Sequence, residues 1–267
     1  MSGKIARKII VGNWKMNPLS LKEAEKLFID ITKHISGIKK TEIVICPPFL
    51  YLERLKKISL RDNSAGEAKK IFIGAQDAFY EERGAFTGEI SAEMLSNTGI
   101  KYVILGHSER RALGEKNTDV NKKIKASLSL GLAPIVCFGE NVRDENHEYL
   151  NFVKIQIEEG LNGISKNLIS KIIIAYEPIW AIGKDATREA TPEEFREMSI
   201  FIRKILSDKF GAKTVEKLRI IYGGSAHPEN VFGFLQEGQA EGFLLGRDSL
   251  DPKKFLEIIE TTENAIN

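Results

Sequence analysis

The chain has 267 residues, 42% of them hydrophobic and 28% charged, so it has apolar material for a packed core and is neither disordered nor collagen-like in composition. Its 39 Lys and Arg against 37 Asp and Glu leave a formal charge of +2, which gives no global field for nucleic acid or an anionic membrane; any anion must be met locally. Cys46 and Cys137 cannot build a disulfide framework, and the four histidines include no His-x-x-x-His pair, so metals are not expected.

In chain order, residues 1–7 are basic but lack an apolar segment behind them, and no apolar run approaches the roughly 18 residues of a membrane span. Together with the unpaired cysteines this predicts a cytoplasmic protein. Eight short apolar, largely β-branched runs then recur, at residues 9–11, 43–45, 71–73, 102–105, 134–136, 172–174, 220–222 and 243–245. Their hydrophobicity is continuous rather than alternating, as strands buried on both faces require. Helical patterns separate them. Ser20-Leu21-Lys22-Glu23 is a capping box ahead of a stripe of Leu21, Ala24, Leu27, Phe28 and Ile31, and Thr191-Pro192-Glu193-Glu194 is a second box. Asp251-Pro252 opens the last helix in the same way.

The strand starts are spaced by about one βα unit, no linker-like segment interrupts them, and no Gly-x-Gly-x-x-Gly follows the first. That inventory predicts one α/β domain over residues 1–267, a (β/α)8 barrel rather than an open doubly wound sheet. The longest interval, between the sixth and seventh runs, places extra residues after strand six, where a binding or moving loop is expected.

The residues just past each strand converge on one face of such a barrel. Strand one ends in Asn13-Trp14-Lys15, strand four in Gly106-His107-Ser108-Glu109-Arg110-Arg111, strand six in Tyr176-Glu177-Pro178, strand seven in Gly223-Gly224-Ser225 and strand eight in Gly246-Arg247. With Gly84-Ala85-Phe86-Thr87-Gly88-Glu89 and Ala181-Ile182-Gly183 added and Gly246-Arg247 set aside, these segments resemble, in order along the chain, the signatures of the triosephosphate isomerase family, and coverage runs from strand one to strand eight. The resemblance implies a TIM barrel that interconverts dihydroxyacetone phosphate and glyceraldehyde 3-phosphate without a cofactor.

Moving a carbonyl between neighbouring carbons needs a base to remove a proton and an electrophile for the enediolate. Glu177, flanked by apolar residues, is the expected base, since partial desolvation strengthens a carboxylate in that role. His107 precedes Ser108-Glu109-Arg110, which reads as the start of a short helix whose positive end is expected to keep the imidazole neutral and donating to substrate oxygen, as the resemblance to the triosephosphate isomerase family also implies. Lys15 supplies fixed positive charge and Asn13 a neutral donor beside it. The resemblance further implies phosphate binding by the backbone amides of Gly183, Ser225, Gly246 and Arg247. Glu140, after strand five, is expected to fix the active-site loop, and His34 and His147 to be structural.

Singly, each of these residues has an ordinary structural reading; together, in family order, they do not. An aldolase-like barrel would want a Schiff-base lysine at a strand end, and no strand after the first ends in one. A silent phosphate-binding barrel would be expected to lose Glu177 or His107 first, and both are present.

The loop from Gln76 to Glu89 carries Phe79, Tyr80 and Phe86, more apolar surface than a monomer leaves exposed. The resemblance implies that it inserts beside Asn13 and Lys15 of a second copy, with Thr87 near Glu109, in a homodimer or a dimer-built tetramer. Two departures stand out. The loop 178–191 is about two residues longer than the family pattern and lacks its second tip glycine, and Arg247 replaces a glycine. The expectations are that Gly183 still closes over the phosphate and that Arg247 sits in unstrained backbone, its guanidinium paired with Asp248 or a neighbouring carboxylate at the rim.

Overall fold

The computed structural model describes residues 7–62, 71–183, 186 and 188–265. The eight apolar runs form eight strands: β1 (Lys8–Asn13), β2 (Thr41–Cys46), β3 (Ile71–Ala75), β4 (Tyr102–Leu105), β5 (Ala133–Phe138), β6 (Ile173–Tyr176), β7 (Arg219–Tyr222) and β8 (Gly242–Leu245). All pair in parallel and in chain order, and β8 returns to β1 with Ile9 opposite Gly242 and Gly12 opposite Leu245, closing the barrel.

Strand side chains alternate between two apolar layers. Ile9, Val11, Val44, Cys46, Ile104, Ile135, Cys137, Ile173, Ala175, Ile221 and Leu244 pack together with no helix residue among them, so they fill the barrel. The other set, including Ile10, Ile43, Ile45, Val103, Val136 and Ile174, packs against helix residues such as Phe28, Ile124, Val153, Phe195 and Ile258. Burial on both faces is what made the strands read as continuous apolar runs.

The capping signals hold. The Ser20 hydroxyl accepts from the Glu23 amide at 3.3 Å and opens the helix Leu21–Thr32; Thr191 and Glu194 cap reciprocally ahead of Pro192–Phe210; Asp251 accepts from the amides of Lys253 and Lys254 ahead of Pro252–Asn264. On the first helix Ala24, Phe28 and Ile31 are buried, but Leu21 is 43% exposed because the first turn projects past the barrel layer.

The interval between β6 and β7 differs from a simple long loop. Most of it is the 19-residue helix Pro192–Phe210 followed by the short helix Ala212–Val215. No glycine or proline interrupts that helix after Pro192 until Gly211 ends it, and its buried face of Phe195, Met198, Ile202, Ile205 and Leu206 spans the whole length. The loop proper begins at Pro178 and reaches Thr191; Lys184, Asp185 and Thr187 in it lie outside the described residues. No helix of the described residues is long and apolar enough to cross a membrane.

Candidate active site

Parallel pairing in chain order places the C-terminal ends of all eight strands on one face. There Asn13, Lys15, His107, Glu177, Gly183, Ser225, Gly246 and Arg247 line a single cavity of about 1040 Å³. All eight residues expected in the site are therefore brought together.

Asn13 ends β1, is buried, and its side-chain oxygen accepts from the Lys15 amide at 3.0 Å. This holds Lys15 at a φ of 52°, a left-handed conformation that costs a non-glycine residue about 1 kcal/mol or more and persists only where neighbours fix it. Gln76 supplies the second constraint, donating to the carbonyls of Lys15 at 2.8 Å and Cys46 at 2.9 Å. The Lys15 ammonium lies 2.6 Å from a carboxylate oxygen of Glu109. The ion pair is half-exposed and so weakly held, which leaves the lysine free to exchange Glu109 for a ligand anion.

His107 caps the short helix Ser108–Ala112. Its Nδ1 accepts from the Glu109 amide at 3.2 Å, so the ring proton sits on Nε2, which points at the cavity and lies 3.2 Å from Oε1 of Glu177. The other oxygen of Glu177 accepts from the Ser108 amide at 2.9 Å. Glu177 is 2% exposed, and its side chain packs tightly against the β7 turn: a Cβ on Gly223 would lie 3.0 Å from Glu177 Cγ and 3.2 Å from the Tyr176 carbonyl oxygen, so glycine there leaves the carboxylate its place. Arg111 braces the β4 loop beneath His107, donating to the carbonyls of Gly106 at 2.7 Å and Cys137 at 3.2 Å.

Glu140 organises the start of the loop after β6. One carboxylate oxygen accepts from the Tyr176 hydroxyl at 2.6 Å and the Trp180 indole at 2.8 Å, and the backbone carbonyl accepts from Ile179 at 3.0 Å. Burial, only partly offset by these two donors, pushes its carboxyl above the usual range. Gly183, at φ 88°, is exposed at the rim of the cavity. Ser225 donates its hydroxyl to the Ala181 carbonyl at 3.1 Å, joining the β7 turn to the same loop.

A model of the family described as triosephosphate isomerase matches residues 8–262. Among curated relatives, the triosephosphate isomerase of Dictyoglomus thermophilum is 42% identical over 96% of this chain and 99% of its own length. That of Carboxydothermus hydrogenoformans is 41% identical over 94% of this chain and 97% of its own, and that of Thermoanaerobacter sp. is 41% identical over 95% and 98%. The chain belongs to the triosephosphate isomerase family.

The two segments expected to depart from the family pattern both line the cavity. Arg247 opens a 3-10 turn, Arg247–Leu250, and is not among the non-glycine residues with positive φ, so its backbone is relaxed as expected. Its pairing is not as expected. Asp248 faces Lys254 at 3.6 Å instead, and Arg247 is exposed with no ion pair among the described residues. In the longer loop, Arg188 makes a double hydrogen bond to Glu194 at 2.6 and 2.8 Å and its guanidinium sits 4.5 Å from the Trp180 ring centre. Glu189 reaches His227. Sequence reasoning missed Gln76 as a support, the Ser108 amide, the Lys15–Glu109 pair and His227. The first three lie inside quoted motifs, but nothing in the sequence gave their partners.

Proposed function

We propose that this protein interconverts dihydroxyacetone phosphate and glyceraldehyde 3-phosphate through an enediolate, with Glu177 as base. Glu177 takes the proton from the carbon beside the carbonyl, and the electron pair of that C–H bond forms the carbon–carbon double bond while the carbonyl π electrons move to oxygen. His107 gives its Nε2 proton to the former carbonyl oxygen and takes back the proton of the neighbouring hydroxyl, so that the second oxygen becomes the new carbonyl, and Lys15 and Asn13 offset the developing negative charge. Glu177 then returns the proton to the neighbouring carbon. The amides of Gly183, Ser225, Gly246 and Arg247 bind the phosphate, and the loop after β6 closes as a lid that excludes water. The observation that carries this reading is the meeting of a buried carboxylate, a single-tautomer imidazole and a lysine in one cavity at the ends of three different strands. A coupled assay of both triose phosphates, with Glu177→Gln beside the wild type, tests it.

The assembly belongs to the same reading. Residues 81–89 are all exposed in the single chain, although Phe79 stacks on Tyr80 at 4.4 Å and meets Phe86 at 4.8 Å. Met16, Leu19 and Leu50 are each more than four-fifths exposed. The exposed Phe86 of this loop, with Met16, Leu19 and Leu50, supports burial by a second copy in a homodimer, or a tetramer of such dimers, with the loop 76–89 reaching the partner's site. A cytoplasmic location belongs to the same reading, and the two free, buried cysteines Cys46 and Cys137 support it.

A further inference from the structure

His227 follows Ser225 in the turn after β7 and faces carboxylates on both sides of its ring. Nδ1 lies 2.7 Å from Glu229 Oε2, while Nε2 lies 3.0 and 3.1 Å from the two oxygens of Glu189, which belongs to the C-terminal hinge of the lid. Asn230 stands beside the contact: its side-chain nitrogen is 2.9 Å from His227 Nε2, 3.3 Å from Glu189 Oε2 and 2.9 Å from the Ser225 carbonyl.

A neutral imidazole has one N–H and cannot donate to both carboxylates; only the imidazolium can. When the ring loses a proton, the shorter contact to Glu229 keeps the remaining one on Nδ1. Nε2 then becomes an acceptor, with the Asn230 amide in place to donate to it, and Glu189 faces a lone pair. We infer that His227 is a positioning residue of the lid, which in its protonated form ties the Glu189 hinge to the phosphate-binding turn and in its neutral form hands its Nε2 to Asn230 and releases the hinge. This inference rests on the isomerase reading above, in which the lid closes on the phosphate.

The surroundings of the pair set the sign. Partial burial opposes the charge on His227, but hydrogen bonds and attraction from Glu189 and Glu229 outweigh it and raise its pKa above the ordinary 6.5. On the last helix Lys254 acts on Glu229, and at the end of β7 the buried Tyr222 feels Glu189. The neighbouring hinge residue Arg188 is bound to Glu194, an anchor that does not titrate near neutrality. The tie is therefore complete below the His227 pKa and is lost as pH rises through it. The tie is formed here while Gly183 is exposed at the cavity rim, so its loss is expected to favour closure.

The test combines histidine NMR titration of the full-length enzyme with steady-state kinetics at about pH 6 and about pH 8.5, using wild type, His227→Asn and Glu189→Gln. The His227 midpoint is expected above 6.5 in wild type and lower in Glu189→Gln. Between the two pH values the wild-type KM for triose phosphate should fall about two- to fivefold more than that of either variant, the span of an exposed ion pair, with kcat retained in all three. Comparison with the variants removes the titration of the substrate phosphate itself. Identical KM profiles in the three proteins, or a His227 midpoint unmoved by Glu189→Gln, would overturn the inference while leaving isomerisation intact. A wild type without isomerase activity would instead overturn the reading beneath it.

Discussion

The Nε2 atom of His107 lies 3.2 Å from Oε1 of Glu177, while the Nδ1 of the same ring accepts from the Glu109 amide at 3.2 Å. The backbone of the short helix Ser108–Ala112 thus selects the tautomer that presents an N–H to the cavity. Replacing His107 by Phe removes that donor. Loss of one donor to a developing oxyanion typically lowers kcat by about 10²- to 10³-fold. Steady-state assay should give that loss with KM little changed, and ¹⁵N spectra of the wild-type ring should show the Nε2–H form; an Nδ1–H form would contradict the assignment.

Arg247 offers a cation at the cavity rim without an ion-pair partner among the described residues. An exposed guanidinium adds only screened attraction for a dianion. Arg247→Gly should therefore raise KM by a few-fold at low salt, about 5-fold at most, and less at high salt. A fall in kcat of about 100-fold, worth nearly 3 kcal/mol, would mean that the side chain touches the reacting substrate.

The exposed Phe86 of the loop 76–89, beside Met16, Leu19 and Leu50, predicts an assembly of copies. Sedimentation at micromolar concentration should find the wild type as a dimer or a multiple of one, and Phe86→Asp, at a residue 42% exposed in the single chain, should shift it toward monomer with loss of activity. A fully active wild-type monomer would refute the assembly.

Glu140 is held with its carboxyl raised, burial being the main cause. Its protonated form is the one the fold favours, so its contribution to stability is full below the ordinary 4.5 and is lost as pH rises through the folded value. Glu140→Gln keeps an oxygen to accept from Tyr176 and Trp180 but does not titrate. Thermal melts should therefore show the variant gaining on wild type as pH rises from 4.5; a difference that is constant with pH would contradict this.

Much of this was legible in the sequence, for a physical reason. A closed parallel barrel buries both faces of every strand, so each strand announces itself as a continuous apolar run, and helices with paired caps such as Thr191 and Glu194 announce their starts. The site residues were legible because barrel geometry puts Asn13, His107 and Glu177 on one face once the strands are placed. The left-handed backbone of Lys15 was not, since beside the local bond to Asn13 it is held by Gln76, 61 residues away in sequence. Nor was the pairing of His227 with Glu189, 38 residues apart, because only the fold brings the lid hinge to the β7 turn. The exposure of Leu21 and the partner of Asp248 likewise depend on where an element ends, which periodicity does not fix.

The central claim is that Glu177 moves the proton. Glu177→Gln preserves shape and keeps an acceptor for the Ser108 amide while removing the base. A positioned general base contributes about 10²- to 10⁴-fold, so kcat should fall by that factor while inhibition by inorganic phosphate is unchanged. A loss of about tenfold or less, or a matching loss of phosphate affinity, would contradict the account.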